Sequence, residues 1–89
     1  MSRSVTVNAG GRKGEAPRRL AAAIAGAVEG ARSGGLPEVV LDVIAATGQA
    51  ANKLICRAPK GAVVQVQACI QEDPISGWSA SVLVDVTAG

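Results

Sequence analysis

The stretch Glu38 to Leu54, EVVLDVIAATGQAANKL, decides the fold of this chain. Its nearly uninterrupted apolar run, Val39 to Ala46, is typical of a strand that is buried on both faces. Thr47 interrupts that run, and the residues from about Gly48 to Ala58 have the pattern of a short helix with Thr47 as its N-cap. Backbone N–H groups at such a strand-to-helix corner often bind anions or nucleotides.

A second interpretation joins the same stretch into one long helix. This alternative changes the predicted element order from β-α-β-α-β-β to β-α-α-β-β. The β-branched residues between Val39 and Ile44 favour the strand, because branching at Cβ restricts side-chain rotamers in a helix. We therefore predict a buried central strand followed by a helix.

The flanking segments predict the remaining elements. Ser4 to Asn8 alternates like a half-buried strand, and a glycine-rich loop from Ala9 to Gly14 follows it. Apolar residues at helical spacing indicate a helix from Glu15 to Ser33. Two alternating strands, Val64 to Gln71 and Trp78 to Val86, then form a hairpin. In the last strand the residues predicted to face the core are Ala80, Val82, Val84 and Val86.

Composition excludes several classes of function. The 89 residues predict one domain over 1–89, with 48% hydrophobic but only 1% aromatic content, so small aliphatic side chains must build the core. Such a core is marginal in so short a chain, and we expect a homodimer or a higher homo-oligomer. The absence of His and Tyr removes His-dependent catalysis and histidine metal ligation. We expect no enzymatic activity, no catalytic residue, no metal site and no cofactor.

Localisation is predicted from the apolar segments. No apolar run reaches the roughly 18 residues that a membrane span needs. The N-terminal residues lead directly into a strand and not into the apolar region of a signal peptide. We expect a cytoplasmic protein without a membrane partner.

The net charge of +2 is small, but the basic residues cluster along the chain. In the first twenty residues one acid, Glu15, accompanies Arg3, Arg12, Lys13, Arg18 and Arg19. Arg18 and Arg19 lie in the first turn of a predicted helix, where cations oppose the helix dipole, and this favours an anionic partner. A second group consists of Lys53, Arg57 and Lys60.

The element order and several motifs resemble the Alba superfamily and, more closely, the stage V sporulation protein S family. The matching segments are VTVNA from Val5, RRLAAAIAGAVEGA from Arg18, IAATGQAANKL from Ile44, and the hairpin VVQVQACI…SASVLVDV. The resemblance implies an α+β two-layer sandwich, with a four-stranded mixed sheet and two helices on one face. It also implies a dimer that binds DNA or RNA.

The resemblance also implies which residues bind. In Alba-type proteins these residues lie in the loop after the first strand and at the start of the second helix. Carried over by position, they are Arg12, Lys13, Thr47, Gly48, Gln49, Asn52 and Lys53. This sequence departs from the pattern at Thr47 and Gly48, where strong Alba binders carry arginines, and at the hairpin tip, which carries Glu72 and Asp73.

We predict a small non-enzymatic protein that binds nucleic acid electrostatically, as a regulator connected with sporulation or development. The predicted cationic contacts are Arg12, Lys13, Lys53, Arg18 and Arg19. The alternative is a protein–protein assembly or regulatory module that uses its uncharged polar sheet face or its helices. A third interpretation is a small-molecule sensor at the Thr47-Gly48-Gln49 corner.

Overall fold

The computed structural model describes residues 3–75 and 77–88, which form strands and helices in the order β-α-α-β-β. The elements are β1 (Ser4–Arg12), α1 (Ala16–Ser33), α2 (Glu38–Cys56), β2 (Val63–Asp73) and β3 (Gly77–Thr87). Four residues of the predicted domain lie outside the described residues, namely Met1, Ser2, Ser76 and Gly89.

The sheet is antiparallel throughout, and its strand order is β1-β2-β3. Ala68 at the centre of β2 pairs with Val7 of β1 on one side and with Val82 of β3 on the other. The predicted four-stranded mixed sheet with the order β-α-β-α-β-β is therefore wrong. The error arises from one segment, because the predicted central strand is the first half of α2.

The buried residues of α2 explain why this segment is helical. Their spacing of three or four residues places them on one side of a helix: Val40, Ile44, Thr47, Gly48, Ala51 and Ile55. The Thr47 hydroxyl donates a hydrogen bond of 2.7 Å to the carbonyl oxygen of Val43 one turn earlier, so its burial leaves no unpaired group. Thr47 is thus a residue of the helix interior, and the predicted N-cap at this position is wrong.

Burial also outweighs the strand preference of the β-branched residues. Each Val or Ile costs a helix about 0.5 kcal/mol relative to Ala, or roughly 2 kcal/mol for the four between Val39 and Ile44. Val40 and Ile44 are fully buried, and burial stabilises each by about 1.5–3 kcal/mol. A one-sided apolar stripe over a sheet is therefore the more stable arrangement.

Both helices pack on one face of the sheet, as an antiparallel pair joined by Gly34 to Pro37. Near the start of α1 the core contains Leu20, Ile55 and Val64. Near the other end of the helices it contains Ala31, Val40, Ile44 and Ile70. Because α2 runs back along α1, the chain returns to the end of β1 before it enters β2.

The helix layer covers β3 incompletely. The predicted core-facing row of this strand does point towards the helices, but Val82 and Val84 are only half-buried and Ala80 is exposed. Val86 is 46% exposed, whereas its neighbour Val64 on β2 is fully buried. The predicted orientation of the row is therefore confirmed, and Val82 and Val84 pack against the core. Ala80 and Val86 stay exposed because two helices do not cover all three strands.

By length and composition alone, α2 is also apolar enough to cross a membrane. It has 19 residues with a mean hydropathy of 1.3, and one third of these residues are buried inside the protein. The core helix of a soluble protein meets the same criterion. The cytoplasmic localisation stays a prediction.

Candidate nucleic-acid interface

The topology gathers most of the basic residues at one end of the molecule. β1 ends, α1 begins, α2 ends and β2 begins at this end, and the Lys13 amide donates a 2.9 Å hydrogen bond to the Ala62 carbonyl there. The basic residues of these segments are Arg12, Lys13, Arg18, Arg19, Lys53, Arg57 and Lys60. We call this set the basic end.

The charges of the molecule are segregated along its length of 40 Å. Two acids, Glu15 and Asp85, accompany the seven cations of the basic end, which leaves a net charge of +5 there. The opposite end, the acidic end, carries Arg3 and Arg32 together with Glu29, Glu38, Asp42, Glu72 and Asp73, a net charge of −3. The modest total charge of +2 therefore conceals a strong asymmetry.

Arg12, Lys13 and Lys53 are available to an external anion. Arg12 and Lys53 are exposed, and Lys13 is half-buried. Across residues 3–75 and 77–88, none of the three side chains forms a hydrogen bond or an ion pair. The predicted loop from Ala9 to Gly14 is wrong over its first four residues, because β1 continues to Arg12. Arg12 is thereby held by a strand.

The neighbouring arginines Arg18 and Arg19 differ in their contacts. The Arg19 guanidinium donates a 3.0 Å hydrogen bond to the Gly10 carbonyl and lies 3.3 Å from the Glu15 carboxylate. It fastens the start of α1 to the edge of β1. Arg18 is exposed and has no such contact within the described chain, so it remains free for a ligand.

Two residues implied by the resemblance do not lie on the surface. Thr47 and Gly48 are both buried in α2, and Gly48 packs against Ile24 of α1. The expected strand-to-helix corner does not exist, because α2 continues through both residues. Gly48 provides the close contact between the two helices, and the Thr47 hydroxyl is bonded within α2.

Gln49 and Asn52 line a shallow groove on the outer side of the helix pair. The groove has a volume of about 380 Å³, and Pro17, Leu20 and Ala21 of α1 line its other wall. Lys53 follows Asn52 directly at the end of α2. The structure therefore brings Gln49 and Asn52 close to the start of α1, and with Lys53 beside them they form a polar border of the basic end.

Arg57 and Lys60 belong to the second basic group of the sequence but are not among the residues predicted to bind nucleic acid. Both are exposed, and they follow α2 in the connection that leads to Ala62. The signal was the spacing of four residues from Lys53 to Arg57, which places two cations on one side of a helix end.

Arg3 occupies a different part of the molecule. Its guanidinium forms a 2.8 Å ion pair with Glu72 and lies 5.5 Å from the centre of the Trp78 ring. The hydrogen bond from Arg3 lowers the pKa of Glu72, although desolvation acts in the opposite direction. Trp78 is half-buried against the core residues that include Ile44 and Ile70. Arg3 covers its ring, so the ring is not a free stacking surface.

No protein-family model, no curated protein and no solved structure matches this chain. In residues 3–75 and 77–88, no three Cys, Asp or Glu side chains lie close enough together to hold a metal ion. A functional proposal must therefore be built on the charge distribution and the surfaces described above.

Proposed function

We propose that this protein binds nucleic acid through its basic end, by contacts to the phosphate backbone. The observation that carries the proposal is the clustering of seven cations from separate segments at one end of a molecule with little total charge. Such a field raises the local concentration of a polyanion and orients it as it approaches.

The start of α1 adds to the attraction. Its first turn contains no acid, and within residues 3–75 and 77–88 no side chain caps its free N–H groups. Arg18 and Arg19 in this turn are unfavourable neighbours of the positive end of the helix dipole. A phosphate group near Gly14 and Arg18 would relieve that repulsion and accept hydrogen bonds from the free N–H groups.

The expected binding is electrostatic and weakly dependent on base sequence. Within one copy of the chain, six cations of the basic end have no hydrogen bond or ion pair among the described residues, namely Arg12, Lys13, Arg18, Lys53, Arg57 and Lys60. If all six contact duplex DNA, the slope of log K against log salt concentration is about −5.4, and for a single strand it is about −4.2. The only aromatic residue lies at the other end, so base stacking contributes little.

The proposal does not depend on the family resemblance. The element order that carried much of that resemblance differs from the order in the structure. A regulatory role in sporulation or development and a cytoplasmic location remain predictions. The second candidate function, an assembly module, is favoured by the outer edge of β3, which no other described strand pairs with.

A salt titration of two matched double variants tests the proposal. The test variant is Arg12→Gln/Lys53→Gln at the basic end, and the control is Arg3→Gln/Arg32→Gln at the acidic end. Both variants lose two positive charges, so a difference between them reflects position and not net charge. Fluorescence anisotropy with labelled duplex DNA, single-stranded DNA and RNA, at several salt concentrations, gives the affinity and the slope.

We expect the test variant to lose about two units of salt slope on duplex DNA and at least tenfold in affinity at low salt. The control variant should retain the slope of the wild type. Equal losses of affinity and slope in both variants would show that only net charge matters, and would contradict binding through the basic end. No binding by the wild-type protein at low salt would refute the proposal.

A further inference from the structure

The two edges of the sheet differ in whether a charged side chain protects them from pairing with another strand. At β1, the Arg19 guanidinium donates a hydrogen bond to the Gly10 carbonyl and places a positive charge at the strand edge. Charged side chains at an edge discourage pairing with another strand. At β3, β2 alone forms hydrogen bonds with the backbone of residues 78–87 in the part of the chain that the structure describes.

β3 also lacks the features that usually protect an edge. It is a regular strand of 11 residues, with no proline, no lysine and no arginine. Asp85, close to its end, is its only charged residue. A long edge of this kind is a template for another strand.

An apolar helix flank lies beside this edge. The buried side of α2 rests on the sheet, and Gly48, Gln49 and Asn52 face α1. Helical spacing places a row of apolar residues on the β3 side, namely Val39, Val43, Ala46, Ala50 and Leu54. Val39 is 51% exposed and Leu54 is 42% exposed, so this flank continues the half-covered valine row of β3.

We propose that β3 pairs antiparallel with β3 of a second copy of this chain, so that a two-fold axis joins two sheets into one of six strands. With the axis near Val82, Ala80 opposes Val84 of the second copy, and the two valine rows form one continuous layer. Asp85 then opposes Ser79 and not another Asp85, so no like charges meet across the pair.

Charge complementarity indicates that the strand pairing with β3 belongs to a second copy of this chain. An antiparallel pair sets the basic end of one copy beside the acidic end of the other. The α2 helices then run antiparallel across the axis, so that the end of one helix, with Lys53 and Arg57, lies at the level of the start of the other, with Glu38 and Asp42. The second half of α2 packs in the same cluster as Val82 and Val84, and its first half packs in the same cluster as Trp78, so one axis near the middle of both elements can serve both pairings.

The first test uses a substitution that is harmless to the monomer. Ala46 is exposed on the α2 flank, and Ala25 is exposed on α1, away from the proposed interface. Ala46→Lys and Ala25→Lys are therefore the same chemical change inside and outside the contact. Sedimentation equilibrium should give twice the chain mass of 8.8 kDa for the wild type and for Ala25→Lys. Ala46→Lys should weaken dimerisation at least tenfold while its circular dichroism stays unchanged.

The second test exchanges charges across the axis. Asp42→Lys alone and Lys53→Asp alone each place like charges at the same level twice in a homodimer, so both should dimerise more weakly than the wild type at low salt. An equimolar mixture of the two should form a heterodimer, because each cation then meets an acid of the other copy. A wild-type monomer at high-micromolar concentration would overturn the proposal. So would a dimer that Ala46→Lys and Ala25→Lys weaken equally, or charge variants whose mixture does not associate.

Discussion

Gly48 of α2 and Ile24 of α1 meet so closely that a Cβ atom placed on Gly48 would lie 2.8 Å from Cγ1 of Ile24. Carbon atoms in ordinary contact are about 3.5–4.0 Å apart, so this glycine permits the approach of the two helices. Gly48, which was predicted to lie in an anion-binding corner, is therefore the residue at which the two helices pack most closely.

This contact predicts opposite effects for two Gly→Ala substitutions in helices. A Cβ atom on Gly26 in α1 meets no described atom within 4 Å outside the backbone of its own helix, so Gly26→Ala should stabilise the protein by up to about 1 kcal/mol through helix propensity. Gly48→Ala gains the same propensity but overpacks Ile24, which typically costs about 1–3 kcal/mol, so we expect a net loss of roughly 1 kcal/mol. Urea unfolding measures both, and two equal gains in stability would contradict the close helix contact.

The two adjacent arginines predict a second contrast. Arg19→Ala removes the hydrogen bond to the Gly10 carbonyl, and we expect a loss of roughly 0.5–1 kcal/mol because the guanidinium is partly solvated. Arg18→Ala should leave stability within about 0.5 kcal/mol of the wild type, as is usual for surface substitutions without a specific contact. Urea unfolding at neutral pH distinguishes them. If Arg18→Ala were the more destabilising change, the assigned role of Arg19 would be wrong.

The ion pair between Arg3 and Glu72 predicts a dependence of stability on pH. The hydrogen bond from Arg3 lowers the pKa of Glu72 in the folded protein, whereas the unfolded chain has the ordinary value. The stabilisation is therefore present above the unfolded-state pKa, and it is lost as the pH falls through the folded-state pKa. Arg3→Gln should return the Glu72 pKa to its ordinary range, as NMR titration of the side-chain carboxyl carbon would record.

The same substitution has a matching effect on unfolding. The stability difference between wild type and Arg3→Gln should be largest near neutral pH and should shrink in acid, where Glu72 is protonated in both proteins. Because both groups are exposed, high salt should also reduce the difference. A difference that grows on acidification would contradict the assignment of the ion pair.

The helical state of residues 38–46 predicts a direct spectroscopic result. Backbone NMR assignment should give positive secondary Cα shifts from Val39 through Ile55 without interruption at Thr47 or Gly48. Amide–amide contacts between successive residues should run through the whole segment. Negative Cα shifts over Val39 to Ala46 would restore the buried strand and would overturn the topology described here.

Most elements of this fold could be predicted from local pattern. The structure confirms a helix that ends at Ser33, because apolar residues at helical spacing and the Gly34-Gly35 pair mark its body and its end. It also confirms both strands of the C-terminal hairpin, since strict alternation over eight or more residues fits only a strand with one covered face.

Residues 38–56 could not be predicted in the same way. An apolar run such as Val39 to Ala46 fits a strand between two layers and equally a helix on one layer, because periodicity does not separate them. The β-branched residues favoured the strand by tenths of a kcal/mol each, whereas burial of Val40 and Ile44 is worth several times more. The alternative order β-α-α-β-β was therefore compatible with the sequence, but the strand propensity of the β-branched residues favoured the other order.

The candidate interface was predicted only in part. The sequence alone shows the groups of basic residues around Arg12 and around Lys53. Their meeting at one end follows from the reversal of α2, which no local pattern encodes. The same reversal buries Thr47 and Gly48, and it assigns Arg19 to the strand edge and leaves Arg18 free.

The sequence by itself determined the single small core of aliphatic side chains, the helix from Ala16 to Ser33, the C-terminal hairpin and the identity of the charged clusters. Those features depend on composition and on contacts between near neighbours in the chain. Only the tertiary structure decided that Glu38 to Cys56 is one helix, that the charges separate to opposite ends, and that β3 has an open edge. These depend on which surfaces distant segments can bury together, and that is a property of the assembled layers.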